Sequence, residues 1–225
     1  DAYDGFHEAV GLWVLSTAAG RRVAFPLGGI RFTSLYIALI SRTSVFTKTT
    51  AAKVGAKVIS AAGMNYMLCP DEMTPQAFVE HLSTITLPKN YAELSEHEQD
   101  WYKNAAAFAG QKGWYYDEFG NKVSGMMKEG GHMAEYRSIL RVMDDGREEY
   151  RYISIGRGTN KIKRPYLALL GNMTPADLRP YAKRGAPLWN DGFWARWGLV
   201  SPGEEDRPKK GRWPNEVQTV PAALS

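Results

Sequence analysis

Cysteine is almost missing from this chain: Cys69 stands alone among 225 residues. One thiol closes no intrachain disulfide and builds no cysteine-based zinc site. Histidine is nearly as scarce, and His7, His81, His97 and His132 include no pair at the i, i+4 spacing that sets two imidazole ligands on one helical face. They read as surface or packing residues. Long apolar runs are lacking too. The longest, around 35–40 and 166–170, are strand-sized and far short of the roughly 20 residues that a membrane-crossing helix needs. No basic stretch followed by an apolar one opens the chain, so no secretory leader is expected. The expectation is a soluble, cytoplasmic protein with no membrane partner. Charge of one sign does not dominate either: 28 Lys and Arg face 24 Asp and Glu, a net charge of +4. That mild excess tolerates nucleotide phosphates or nucleic acid without requiring them.

What is present suits a globular domain. Hydrophobic residues make up 44% and charged residues 23%, and the length allows one large α/β domain with its own core. Phe6, Val10, Trp13, Val14 and Thr17 recur at helical spacing, which predicts an amphipathic helix over 4–19. The run 34–41 is apolar without alternation, as in a strand buried on both faces of a parallel sheet. From Lys48 the spacing turns helical, with Gly63 placed to end the helix. A strand is expected over 64–69, followed by a helix with Thr74 as its cap and Pro75 in its first position. Residues 93–108 read as helical and the aromatic run 113–116 as a strand. A helical stretch over 122–143, broken at Gly130 and Gly131, comes next. A hairpin over 149–164 leads into a strand at 166–170, and Thr174–Pro175 repeats the capped helix start. Alternating strands and helices predict a three-layer α/β sandwich around a mostly parallel sheet. Residues 1–200 form the expected domain, and 201–225 a charged, Pro-rich tail or linker.

The segment between the first buried strand and its helix, 41–51, sits where a phosphate-binding loop belongs. A helix N-terminus offers free N–H groups and partial positive charge to an anion. Lys48 would neutralise phosphate oxygens and Thr49 would ligate Mg²⁺, within a nucleotide-contacting set of Ser44, Thr47, Lys48, Thr49 and Thr50. The usual pattern is G-x-x-x-x-G-K-[ST], and here Arg42 and Thr47 stand in place of the two glycines. Downstream, the strand at 113–116 ends in Asp117 and Glu118. In a P-loop ATPase the Asp orients the metal's water shell and the Glu activates the attacking water. Asn172, placed just past the 166–170 strand, would sit beside that Glu in a sensor position. Arg196, between two tryptophans, would stabilise the transferring phosphate in cis or across a subunit interface, or merely stack on them. All four features occur in the order the fold requires, at strand ends where α/β proteins bind ligands.

With these residues assembled, the chain resembles the DUF3987 family of bacterial and phage proteins, from about 6 to 202. The resemblance is carried by Leu15-Ser16 with Arg21-Arg22, by Lys48 to Ala51, by Asp71 to Pro75, and by Gly113 to Gly120, Gly171 to Pro175 and Gly192 to Arg196. Family members resemble P-loop ATPases of the RecA/AAA+-like kind and often accompany primase or helicase modules. The resemblance implies a nucleotide-dependent role in phage or mobile-element DNA metabolism; the leading expectation is a helicase-like ATPase motor in DNA replication that binds ATP and Mg²⁺ at Lys48–Thr49 and works as a homo-oligomer. In the hairpin, Arg151, Arg157, Lys161, Lys163 and Arg164 offer phosphate contacts to DNA, or protect an edge strand from aggregation. Two other functions stay open: a non-catalytic nucleotide-binding or assembly module with a degenerate loop, and a metal-dependent nuclease built on Asp71, Glu72, Asp117 and Glu118.

Overall fold

The computed structural model describes residues 2–42, 46–154, 158–183 and 185–206. Helix α1 (Asp4–Ala19) is followed by a short antiparallel hairpin, β1 (Ala24–Pro26) and β2 (Ile30–Phe32), then by strand β3 (Tyr36–Ile40). The apolar run had no alternation because β3 is buried on both faces. Helix α2 (Lys48–Ala61) starts at the expected lysine, and Gly63, at φ 68°, supplies the left-handed residue after its end. Helix α3 (Pro75–Ser83) is capped by the Thr74 hydroxyl, which accepts from the Ala77 N–H at 3.3 Å. A reciprocal capping box between Ser95 and Glu98 starts α4 (Glu96–Ala107). Strand β4 (Gln111–Tyr116), α5 (Phe119–Met126) and α6 (Glu135–Asp144) follow. The hairpin β5 (Glu149–Ser154) and β6 (Gly158–Lys163) leads into β7 (Tyr166–Met173), the short helices α7 (Pro175–Leu178) and α8 (Pro187–Asn190), and β8 (Trp197–Val200).

Four strands form one sheet in the order β4-β7-β3-β8, every neighbouring pair parallel. Alternation sorts their side chains onto two faces. Ile37, Leu39, Tyr166, Ala168 and Leu170 pack against α1 and α2 on one side. Tyr36, Ala38, Ile40, Trp114, Leu167 and Leu169 pack against α3, α5 and α6 on the other. The result is the expected helix–sheet–helix arrangement. Helix α1 is pinned to the sheet by the Trp13 indole N–H, which donates to the Ala168 carbonyl at 3.1 Å. It can lie this close because β4 carries Gly113, where a Cβ would meet Thr17 at 2.3–2.9 Å. Burying side chains the size of Phe6 and Trp13 contributes on the order of 2–3 kcal/mol each.

Several elements differ from the sequence expectation. The strand predicted over 64–69 is instead a 3₁₀ turn at Asn65–Met67, with a single parallel bridge from Leu68 to Gly113. That bridge still aligns the segment beside β4, on the side away from β7. Strand β7 runs on to Met173, three residues past its predicted end, so Asn172 lies inside the sheet rather than beyond it. Neither the β1–β2 hairpin nor β8 is visible in the residue pattern. The first is mostly exposed, and the second is a four-residue strand with no periodicity to show. Among the described residues no helix is long and apolar enough to cross a membrane.

Candidate functional site

In a parallel sheet all strands point their C-terminal ends to one edge, and ligands of open α/β sheets bind there. Three adjacent strands, β3, β7 and β4, deliver Ser41, Asn172 and Asp117 to that edge. The register pairs Tyr116 with Gly171, which brings the next residues, Asp117 and Asn172, level with each other. Asn172 shares its face of β7 with Ala168 and Leu170, the face covered by α2. Thr49, in the first turn of α2, closes the group from that side.

The contacts are short and mutual. The Asn172 amide Nδ2 lies 3.0 Å from Asp117 Oδ1, 3.0 Å from the Tyr115 hydroxyl and 3.4 Å from Thr49 Oγ1. A carboxylate only accepts, so the amide must turn its nitrogen toward Asp117. The Thr49 hydroxyl donates toward both Asp117 oxygens at 3.3 and 3.4 Å. Asn172 is buried, and its Oδ1 has no hydrogen-bond partner. Lys48 donates from Nζ to the Ser41 carbonyl at 2.6 Å. Burial pulls the pKa of its ammonium below the usual lysine range, while Asp117 and Asp177 oppose the shift. Glu118 follows at the cap of α5, exposed, with Oε2 accepting from Asn121 Nδ2 at 2.9 Å.

Lys48, Thr49, Asp117, Glu118 and Asn172 line a cavity of about 640 Å³, together with Arg42, Thr47, Thr50, Asn121, Met173, Thr174 and Asp177. Its backbone is strained at two points. Thr47 (φ 48°) and Glu118 (φ 52°) both occupy the left-handed region, and only Arg164 shares that property among the described non-glycine residues. Each such residue costs on the order of 1–3 kcal/mol, and such residues cluster at functional sites. Thr47 stands where the phosphate-loop pattern has its second glycine, so the chain keeps the glycine-like backbone with a β-branched residue in it.

The oxygens of Thr49 and Asp117 are hard donors that suit Mg²⁺. Among the described residues no three His, Cys, Asp or Glu side chains come together as a metal cluster. Asp71 and Glu72 therefore do not join Asp117 and Glu118 in one cluster.

Other predicted residues lie elsewhere. Ser44 and Arg157 fall outside the described residues. Arg196 precedes β8 and so sits at the opposite, N-terminal edge of the sheet. Its guanidinium meets Asp144 at 3.3 Å, Asp145 at 3.5 Å and the Gly192 carbonyl at 2.8 Å. It is not part of the cavity of its own chain, which corrects the in-cis role expected of it. In the basic hairpin, Glu149 holds both Arg151 and Lys161, at 2.5 and 3.1 Å, whereas Lys163 and Arg164 are exposed. The sequence reading missed Tyr115, Asn121 and Asp177. Strand alternation was the available signal for Tyr115, since residues two apart share a face. Compared with known proteins, the chain matches no protein-family profile and no curated protein.

Proposed function

We propose that this chain is an ATP-binding P-loop ATPase domain of the additional-strand, RecA/AAA+-like kind. The observation that carries this reading is the convergence of Lys48, Thr49, Asp117, Glu118 and Asn172 on one cavity at the C-terminal ends of three adjacent parallel strands. Strand order supports it independently. The additional strand of such proteins lies between the strand leading to the phosphate loop and the strand ending in the acidic pair. Here β7 lies between β3 and β4. A cavity of about 640 Å³ is also of the size that holds a small-molecule ligand.

In this reading the N-terminus of α2 and Lys48 receive the phosphates, and the lysine exchanges the Ser41 carbonyl for phosphate oxygen. Thr49 and Asp117 would hold Mg²⁺, which would supply positive charge to offset that developing on the phosphates. Glu118 leaves Asn121 and takes a proton from the attacking water as its oxygen bonds to the terminal phosphorus and the bridging P–O bond breaks. Asn172, with an unoccupied buried acceptor, orients that water. The DUF3987 resemblance extends the proposal to a helicase-like motor in phage or mobile-element DNA replication, working as a homo-oligomer, with Lys163 and Arg164 as the exposed cations nearest a DNA backbone role.

A second reading is favoured by Arg42 and Thr47 in place of glycine: a module that binds nucleotide and does not turn it over. Binding and hydrolysis of ATP with Mg²⁺ separate the two, measured for the wild type, Lys48→Ala and Glu118→Gln. The motor reading expects both variants to lose hydrolysis and Glu118→Gln to keep binding. Binding without turnover in the wild type selects the module, and no nucleotide binding at all refutes the site.

A further inference from the structure

Glu118 is aimed by the start of α5, which is seated on β7 and α7 at two points where only glycine fits. The Phe119 side chain lies against Gly171, where an added Cβ would meet it at 2.7–2.9 Å. Gly120 is buried against Asp177, where an added Cβ would meet the aspartate Cβ, Cγ and Oδ2 at 2.5 Å or less. The backbone of Gly120 is ordinary helix without a positive φ, and in such a place alanine is the better residue. The contact, rather than the conformation, therefore calls for glycine. Asp177 is not free to swing aside. Its Oδ2 accepts from the Thr174 N–H at 2.7 Å and from the Thr174 hydroxyl at 2.8 Å, in the capping box that starts α7. Gly171 precedes Asn172 and the box follows it, so both contacts tie the start of α5 to the stretch of chain that carries Asn172.

We propose that Gly120 is the positioning residue of Glu118, because it lets α5 close onto the α7 capping box and so fixes where the base stands relative to Asn172. A carbon held at 2.5 Å or less from its neighbour must retreat by about 1 Å to reach ordinary contact. Strand β7 does not give way, since it lies between β3 and β4 and is buried along its whole length. The start of α5 is the looser side. Glu118 enters it at φ 52°, with an exposed side chain whose carboxylate is held by Asn121. A methyl group at Gly120 therefore pushes α5 outward and carries Glu118 with it. Lys48 and Thr49 belong to α2, which packs on the opposite face of the sheet, and they keep their places. A displacement of about 1 Å at a reacting group costs up to about 100-fold in rate, while the nucleotide's seat is unchanged.

This proposal rests on the hydrolysis reading of Glu118, and a first measurement tests that reading by itself: hydrolysis of ATP with Mg²⁺ by the wild type and by Glu118→Gln. The second set is Gly120→Ala, Asp177→Gly and the double variant, each checked by a melting temperature within a few degrees of the wild type. Gly120→Ala should lower kcat at least about tenfold and leave the affinity for a fluorescent ATP analogue within about twofold. Asp177→Gly removes all three atoms in the way, so adding Gly120→Ala to it should lower kcat by less than about threefold. An unchanged kcat in Gly120→Ala overturns the proposal and leaves the reading of Glu118 standing. A fall in affinity that matches the fall in kcat also overturns it, by making the glycine a general support. So does a rate loss just as large in the Asp177→Gly background, and that comparison still decides if Gly120→Ala alone does not fold. A wild type that does not hydrolyse ATP, or hydrolysis that survives Glu118→Gln, overturns the reading of Glu118 and this proposal with it.

Discussion

Replacing Thr47 with glycine tests the phosphate loop at its most unusual point. Thr47 caps α2 with φ 48° and ψ 38°, a conformation that brings a β-branched side chain against its own backbone. The strain amounts to about 1–2 kcal/mol for a residue with a Cβ. Glycine removes it but adds freedom to the unfolded chain, which costs about 0.5–1 kcal/mol. The difference favours the Thr47→Gly variant by about 0.5–1 kcal/mol, because no side-chain cap hydrogen bond is lost with the threonine. Urea unfolding should show a higher midpoint with an unchanged slope, and the melting temperature should rise by roughly 2 °C for a chain of this size. Thr47→Ala keeps the positive φ and should gain little. Nucleotide affinity should hold or tighten in Thr47→Gly, since the backbone N–H groups of the α2 N-terminus become easier to approach. Destabilisation of Thr47→Gly by about 1 kcal/mol or more would refute the argument, because it would mean that threonine stabilises the turn by contacts that outweigh its strain.

Two further substitutions probe groups away from the cavity. His81 is buried enough to lower its pKa to about 4, with Lys112 adding to the effect, so the folded state holds it neutral where the unfolded chain takes up a proton near 6.5. Stability from this histidine is therefore present above pH 6.5 and lost as pH falls toward 4, by about 2 kcal/mol after allowance for its partial exposure. Chemical denaturation between pH 7 and 4 should show a shallower loss in His81→Gln, and identical slopes would refute the assignment. Arg196→Ala should lower stability by about 1–2 kcal/mol through its lost bonds to Asp144, Asp145 and Gly192, and leave nucleotide affinity of the isolated chain unchanged. A large fall in that affinity would place the guanidinium in the site after all.

The local pattern of residues determined the elements whose burial follows a simple rule. Continuous apolar residues in β3 and β7 announced strands covered on both faces, and Thr74–Pro75, Thr174–Pro175 and Gly63 marked helix ends by their own backbone chemistry. The candidate residues Lys48, Thr49, Asp117 and Glu118 were visible because their types and order are informative before any folding. Tertiary structure decided the rest. The strand expected over 64–69 became a 3₁₀ turn with one bridge to Gly113, because a β-strand needs a partner along its length and a sequence window contains only one side of the pairing. Arg196 looked like a phosphate ligand in its tryptophan setting, yet the start of β8 points it to the far edge and onto Asp144. Tyr115 was an aromatic strand residue until β7 lay beside β4 and brought Asn172 to within 3.0 Å of its hydroxyl. Strand order and register are relations between distant segments, so they alone settled which polar groups meet.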